Sequence, residues 1–571
     1  MKKINISIYA FVLSIVLVLS SCAGLDKMKE QATGIKYTVN PKVLEMHAGA
    51  VEASITGEFP AKFFNKNAVL VVTPVLKYEG GELALEQLTL QGEAVQENNK
   101  VIPYEAGGNF THNVSFEFKD EMKVSELILK LEAKLKDKTL PFADAKVADG
   151  IITTPSLVQA DPQAILMPDA FKRIIPQSKE ADIHYVISRA EVRNSELSQD
   201  DIKAFKELIA AAKEDERMKF QKAKISAYAS PDGPEDFNDK LSVKRKVSAD
   251  QFIKKQLKGQ KETQGMSFYE EKATAEDWDG FKKLLEESEI QDKELILRVL
   301  SMYTDPVVRE KEIKNISAAY LELADELLPK LRRSVLSIEV NKLGYSDDEL
   351  KEFIKTNPDT LNLEEMLYAA NLVSDHYKKL DVYKAAMEKY PDCIRAKNNA
   401  GATNIELKQY DQAKENLTAA KEIKANPIVD NNLGAVALIE GDVESAKELL
   451  LNATDAGKEV SYNLGIISIK EGEYEAAVNY LAQTNSFNQA LSMLLAGNSN
   501  AALNTLDQVE NPDAMVYYLK AVIGARMHDQ NLTMNNLRTA VGKKPKLKEY
   551  VQTDMEFARY FEDETFNTIV Q

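Results

Sequence analysis

Cysteine, tryptophan and histidine are scarce in this chain of 571 residues, and each scarcity removes a class of reading. The two cysteines, Cys22 and Cys393, are too few for a disulfide framework, so the fold must rest on its cores. Cys393 follows Pro391 at an expected helix start and reads as a structural thiol. His47, His112, His184, His376 and His528 are scattered without metal-ligand spacing, and no metal or cofactor is expected. No phosphate-cradling glycine loop, nucleophile elbow or metalloprotease helix is present. Basic charge is also short: the net charge of −17 disfavours nucleic-acid binding. The single tryptophan, Trp278, stands among Glu276, Asp277 and Asp279. Two carboxylates suit acid–base chemistry, but a solvated turn accounts for them more simply, and the chain reads as non-enzymatic. Beyond residue 24 there is no apolar run of transmembrane length.

What is present begins at the N-terminus. Lys2 and Lys3 precede a largely apolar run from Ile8 to Leu19, and small residues lead to Cys22, the plan of a secretory signal peptide. Leu19-Ser20-Ser21-Cys22 resembles a bacterial lipobox, which implies a signal peptide over 1–21 and a lipidated Cys22 at the mature terminus. Acyl chains there would anchor the protein to the outer membrane without spanning it. Ala23, with no acidic run after it, points to the periplasmic side. Residues 22–34 carry charge without periodicity and read as a tether.

The length predicts three or four domains. Residues 35–158 are written in β grammar: Ala68–Tyr78, Asn113–Lys119 and Ser125–Lys136 alternate apolar and polar positions between turn signals, which predicts an antiparallel β-sandwich. Pro74 interrupts the first of these and is expected at an edge or bulge. Pro162, Pro168 and Pro176 mark 159–181 as a linker. Strands are expected at Ile183–Ser188, 222–228, Ser267–Thr274 and Val335–Val340, alternating with helices after Ser198 and Gly233, so 182–345 reads as an α/β layer.

The strand and turn Ala229–Gly233, followed by Asn238, Leu241, Ser242 and Arg245 opening a basic helix, resemble the C-terminal periplasmic domain of the OmpA family. Leu331-Arg332-Arg333 is similar to the start of that domain's final strand. The segment between, about 275–330, is an insertion whose Ala275–Gly280 resembles a variant seen in Bacteroidetes lipoproteins. The resemblance implies binding of peptidoglycan through diaminopimelate, with an aspartate taking the amino group and a helix arginine the carboxylate. A zwitterion asks for one anion and one bidentate cation. By position Arg245 is the arginine and Asn238 fixes the loop. Ser230 occupies the aspartate position, and Asp232 is the candidate anion in its place. Equally, Arg245 reads as a surface cation of its helix and Asp232 as a turn former.

From 346 to 571 the chain is helical and repetitive. Gly401, Gly434 and Gly465 recur at 33 and 31 residues; Ala413, Ala446 and Ala477 follow each by twelve, and Leu417, Leu450 and Leu481 follow the alanines by four. Small residues at a helix crossing with a larger one a turn later resemble tetratricopeptide (TPR) repeats. Segments 362–391 and 512–571 read as opening and closing repeats. In that family, the position two before the glycine, here Asn399, Asn432 and Asn463, faces the concave groove, where an amide can hold a ligand's main chain. The same asparagines could instead bond neighbouring helices. Asn398 and Asn431 stand where a carboxylate clamp would have lysines.

Taken together, the expected architecture is a β-sandwich, an α/β OmpA-like domain with an insertion, and a TPR superhelix. The expected function is a non-enzymatic envelope scaffold that tethers layers and recruits a protein partner through the groove. Its rival is an accessory subunit of an outer-membrane assembly or secretion complex without peptidoglycan binding.

Overall fold

The computed structural model describes residues 24–290, 292–316 and 321–571. Two compact bodies emerge, one formed by residues up to Pro168 together with His376–Gln571, the other by Asp169–Asp375.

In the first body, strands β1 (Lys36–Asn40), β2 (Leu44–His47), β3 (Ala50–Phe59), β4 (Val69–Tyr78), β5 (Gly81–Ala84), β6 (Leu88–Gly92), β7 (Lys100–Ile102), β8 (Gly108–Glu117), β9 (Ser125–Leu135), β10 (Lys138–Pro141), β11 (Ala145–Asp149) and β12 (Ile151–Ile152) form two sheets. One runs β1-β3-β2-β12 with β8 also on β3; the other runs β10-β9-β4-β6-β7 with β11 and β5 at its sides. Most pairings are antiparallel; β12 with β2 and β6 with β7 are parallel. Alternation drives the packing: Leu127, Leu129, Leu131, Ala133 and Leu135 of β9 all point into the core, as expected.

Pro74 is neither at an edge nor in a bulge. β4 pairs with β9 along its length, and on its other side with β6 through Val72 and with β5 from Val75. Pro74 falls where β4 changes partner, so its missing N–H interrupts no ladder, and its carbonyl accepts from Leu85 N–H at 2.9 Å. The expected tether is likewise corrected. Residues 24–31 are helical, and Leu25 and Met28, three apart on one face, are buried in the sandwich core.

The helical part of the first body opens with His376–Lys389. Helix pairs follow: Ile394–Glu406 with Tyr410–Ile423, Pro427–Glu440 with Val443–Asn452, Lys458–Lys470 with Tyr474–Tyr480, Phe487–Leu495 with Ser499–Asp507, and Ala514–Arg526 with Gln530–Lys543. The repeat glycines set the crossing distance. A Cβ placed on Gly401, Gly434 or Gly465 would lie 2.5, 2.9 or 2.4 Å from Cγ of Leu417, Leu450 or Leu481. Ala413, Ala446 and Ala477 are fully buried beside them. Ala490, Ala502 and Leu506 repeat the same spacing in the fourth pair, with alanine in the glycine's place.

The second body is an α/β layer. β13 (Ile174–His184), β14 (Met218–Tyr228), β15 (Tyr269–Thr274) and β16 (Arg333–Leu343) lie in the order β13-β16-β14-β15. β16 is antiparallel to both neighbours, and β15 is parallel to β14. Helices Asp200–Glu214 and Glu235–Gln256 bury Ile202, Phe205, Ile209, Ala249, Phe252 and Ile253 against the sheet. The insertion forms its own core around Phe281, Leu285, Ile296, Leu300, Leu327 and Leu331.

The boundaries drawn from sequence shift in two places. The linker of 159–181 is not one segment: 174–184 is β13, an edge strand that pairs only with β16 and so tolerates Pro176. The strand expected at Ile183–Ser188 therefore ends at His184. The helices Asp347–Thr356 and Leu363–Asn371 belong to the second body rather than the array. Phe171 stacks on Tyr368 with centroids 4.4 Å apart, and Arg173 donates to the Tyr345 carbonyl at 2.8 Å.

Candidate functional site

The first helices of the pairs line the array's concave side, and a segment of this same chain runs along it. Residues 159–167, from the supposed linker, are gripped by four asparagines. Asn463 Oδ1 accepts from Gln163 N–H at 2.7 Å while its Nδ2 donates to the Gln163 carbonyl at 2.9 Å. Asn432 does the same to Ile165 at 2.7 and 2.8 Å, and Asn399 to Met167 at 2.7 and 2.9 Å. Asn488 repeats the grip on Gln159, both bonds at 2.9 Å. Each amide meets one residue of an extended strap as a neighbouring strand would, through N–H and C=O together. The step of two residues between Gln163, Ile165 and Met167 is the strand period, so one asparagine per repeat reads every second residue.

A second row completes the ladder. Asn398 Nδ2 donates to the Ile165 carbonyl and to Asn399 Oδ1, both at 3.1 Å; Asn431 Nδ2 donates to the Gln163 carbonyl at 3.1 Å and to Asn432 Oδ1 at 3.0 Å. Asn432 Nδ2 reaches Asn398 Oδ1 at 2.9 Å, and Asn463 Nδ2 reaches Asn431 Oδ1 at 3.0 Å. The main chain that Asn399, Asn432 and Asn463 hold is thus the protein's own strap, and Asn432 and Asn463 also bond to the preceding pair's first helix. In the third pair Tyr462 replaces the second-row asparagine, and its hydroxyl donates to Asp161 Oδ1 at 2.9 Å. Burial raises the Asp161 carboxyl above its ordinary range and raises the Tyr462 hydroxyl as well. Asn398, Asn431, Asn463 and Asn488 are all 0% exposed, and so is Asn432.

Of the groove residues, Asn399, Asn432 and Asn463 were named from sequence, and the structure brings all three onto one strap. Asn488, Tyr462 and Asp161 were missed. The signal for Asn488 was present: it stands two residues before Ala490, the fourth pair's counterpart of the repeat glycine.

The strap leaves the sandwich beside a second contact between sandwich and array. Arg526 donates to Glu556 through Nε at 2.9 and 3.0 Å, and through a terminal nitrogen to Glu45 of β2 at 3.1 Å. Thr154 also donates to Glu556. His47 meets Tyr474 edge-on, with centroids 5.1 Å apart.

In the second body the residues expected to take a cell-wall ligand are turned inward. Arg245 is 0% exposed. Its guanidinium donates to the carbonyls of Arg189 at 3.0 Å, Tyr228 at 2.8 Å and Val186 at 3.5 Å, and lies over the Tyr185 ring. Burial lowers its pKa to about 10. Asp232 pairs with Arg332 at 3.0 Å and accepts from Ser230. Asn238 holds the loop through the carbonyls of Ser230 at 3.1 Å and Gly233 at 3.0 Å, the loop-fixing role expected of it. The surface-cation reading of Arg245 is therefore incorrect: the side chain staples two loops to its helix from within.

Glu276 accepts from Trp278 Nε1 at 2.9 Å, and Asp277 caps the helix beginning at Trp278. Among the described residues there is no group of His, Cys, Asp and Glu able to hold a metal, and no helix long and apolar enough to cross a membrane. The signal segment 1–21 and Cys22 lie outside the described residues.

No protein-family model matches the chain, and no curated protein matches it in sequence. Solved structures of TPR proteins align with it at low scores. YrrB, described as a TPR protein with an unusual peptide-binding site, is 19% identical over 28% of this chain and 92% of its own, with a TM-score of 0.24. A tetratricopeptide repeat protein from Parabacteroides merdae is 12% identical over 43% of this chain and 99% of its own, at 0.29. Yeast Tom70 is 13% identical over 57% and 85%, at 0.24. The helix pairs themselves, with their glycine, alanine and leucine register, define the array as TPR-type. Its groove holds an extended polypeptide, here a segment of the same chain.

Proposed function

We propose that this protein is a non-enzymatic scaffold of a bacterial envelope, exported by segment 1–21, lipidated at Cys22 and held on the periplasmic face of the outer membrane. There it docks other proteins of an assembly or secretion complex. The observation that carries this reading is the asparagine ladder: the array's concave row holds an extended segment, the chain's own strap, by its main chain. The OmpA-like reading of the second body rests on the resemblance of residues 229–245, and on the strand, loop and helix that the structure forms there.

Docking without peptidoglycan is the role the site supports better. A wall ligand would have to draw Arg245 from three carbonyls, and Asp232 from Arg332. Labelled palmitate in growing cells tests the anchor: label and outer-membrane fractionation are expected for the native chain and not for Cys22→Ala. Purified sacculi test the ligand: the protein should stay in the supernatant. Retention that disappears in Arg245→Lys, a variant that keeps the buried charge, would return the wall-tethering role.

A further inference from the structure

We infer that the strap is a self-ligand: it closes the groove, and an incoming extended segment of another protein is bound by exchanging with it. The inference rests on the docking reading above and supplies its regulation. Three observations lead to it.

The first is the kind of contact. The ladder takes the N–H and C=O of Gln159, Gln163, Ile165 and Met167, groups every residue except proline offers. A reader of main chain has almost no means of preferring its own strap to another extended segment of the same polarity. The second is how few of the strap's side chains are fully buried. Pro162 and Met167 are buried, Ala164 and Ile165 are partly so, and the Asp161 carboxylate is bonded by Tyr462 and Asn488, but Gln163 and Ala160 are exposed, and Leu166 is 40% exposed. Apolar burial, the contribution that would make this segment irreplaceable, is confined to a few side chains. The third is that Ala164 and Leu166 carry their main-chain N–H groups unbonded among the described residues, so the strap has one free edge along the ladder.

Why the groove stays closed follows from connectivity. A segment joined to the array through its own chain competes at an effective concentration on the order of millimolar. A separate peptide making the same contacts loses to it. An outside segment wins only by adding side-chain contacts of its own, or after the strap's bonds are weakened. The partner's chemistry is thereby specified: an extended stretch with N–H groups at alternate positions, no proline at those positions, and a side chain that fills the Met167 site.

The test uses the full chain from residue 23 and a fluorescein-labelled synthetic peptide of residues 157–170. Ile165→Pro removes the N–H that Asn432 accepts, and Gln163→Pro the one that Asn463 accepts. Fluorescence anisotropy should show the peptide binding the doubly substituted protein about a hundredfold more tightly than the native one. Adding Asn432→Ala and Asn399→Ala to the doubly substituted protein should abolish that gain. Equal binding by native and substituted proteins, or none by a folded substituted protein, would overturn the inference. Should the substituted chain fail to fold, amide exchange in the native protein decides. The Gln163, Ile165 and Met167 amides should exchange through local opening, with rates nearly independent of low urea. Exchange only through global unfolding, with the urea dependence of Leu438 and Ile467, would overturn it. Failure here leaves the anchor and sacculus tests untouched, so the two readings fall separately.

Discussion

Asn432 has both donor and both acceptor positions of its amide filled: Ile165 N–H and Asn431 on the oxygen, the Ile165 carbonyl and Asn398 on the nitrogen. Asn432→Ala would leave buried partners unsatisfied on the strap and on two helices, at roughly 1–3 kcal/mol for each group that water cannot reach. We expect about 3 kcal/mol lost in urea unfolding, and about as much for Asn432→Asp, which presents an acceptor to the Ile165 carbonyl. A pH effect belongs to Asp554. Its carboxyl is 3% exposed, accepts from the Tyr518 hydroxyl and the Glu556 N–H, and is raised by burial. The folded state then binds the proton more tightly than the unfolded chain, whose aspartate titrates near about 3.9. This group's contribution to stability therefore grows as pH falls from its raised value toward that range, and shrinks as pH climbs back. Asp554→Asn keeps the cap and should flatten the slope; an unchanged slope in urea titrations at stepped pH would count against the assignment.

Among elements, the helix pair is the unit that sequence spacing captures best. Glycine, alanine and leucine at fixed offsets are the residues of one crossing, and the crossing leaves no room for a methyl group at Gly465, 2.4 Å from Leu481 Cγ. Gly465→Ala gains up to about 1 kcal/mol in helix propensity and loses about 1–3 kcal/mol to overpacking. Net destabilisation is expected, with relief in the double variant Gly465→Ala, Leu481→Ala. The same offsets made Asn399, Asn432 and Asn463 legible as groove residues. What they grip was not legible. Residues 159–167 have no periodicity of their own because an extended strap held by side-chain amides needs no alternation of apolar positions. Its prolines looked like punctuation, yet Pro162 is buried in the strap. Arg245 shows the converse: its position in a motif could be read, but its direction depended on the loop carbonyls at 186, 189 and 228 that fold around it.

Across the first body, the strap and the charged cluster at Arg526 are two of the contacts that join the sandwich to the array, with His47 on Tyr474 a third. That cluster is half-hidden: Glu556 is 8% exposed and meets Arg526 along one edge, while Glu45 arrives from the sandwich. Arg526→Ala would leave Glu556 buried without its cation, a loss of about 3–5 kcal/mol. Calorimetry should then show the sandwich and array melting in two steps where the native protein gives one. The groove of this array holds the chain's own strap in strand register. Residue-resolved amide exchange of the native protein tests it most directly. The predicted result is alternation: Gln163, Ile165 and Met167 protected, with Ala164 and Leu166 between them exchanging fast. Uniformly fast exchange across 159–167 would contradict it.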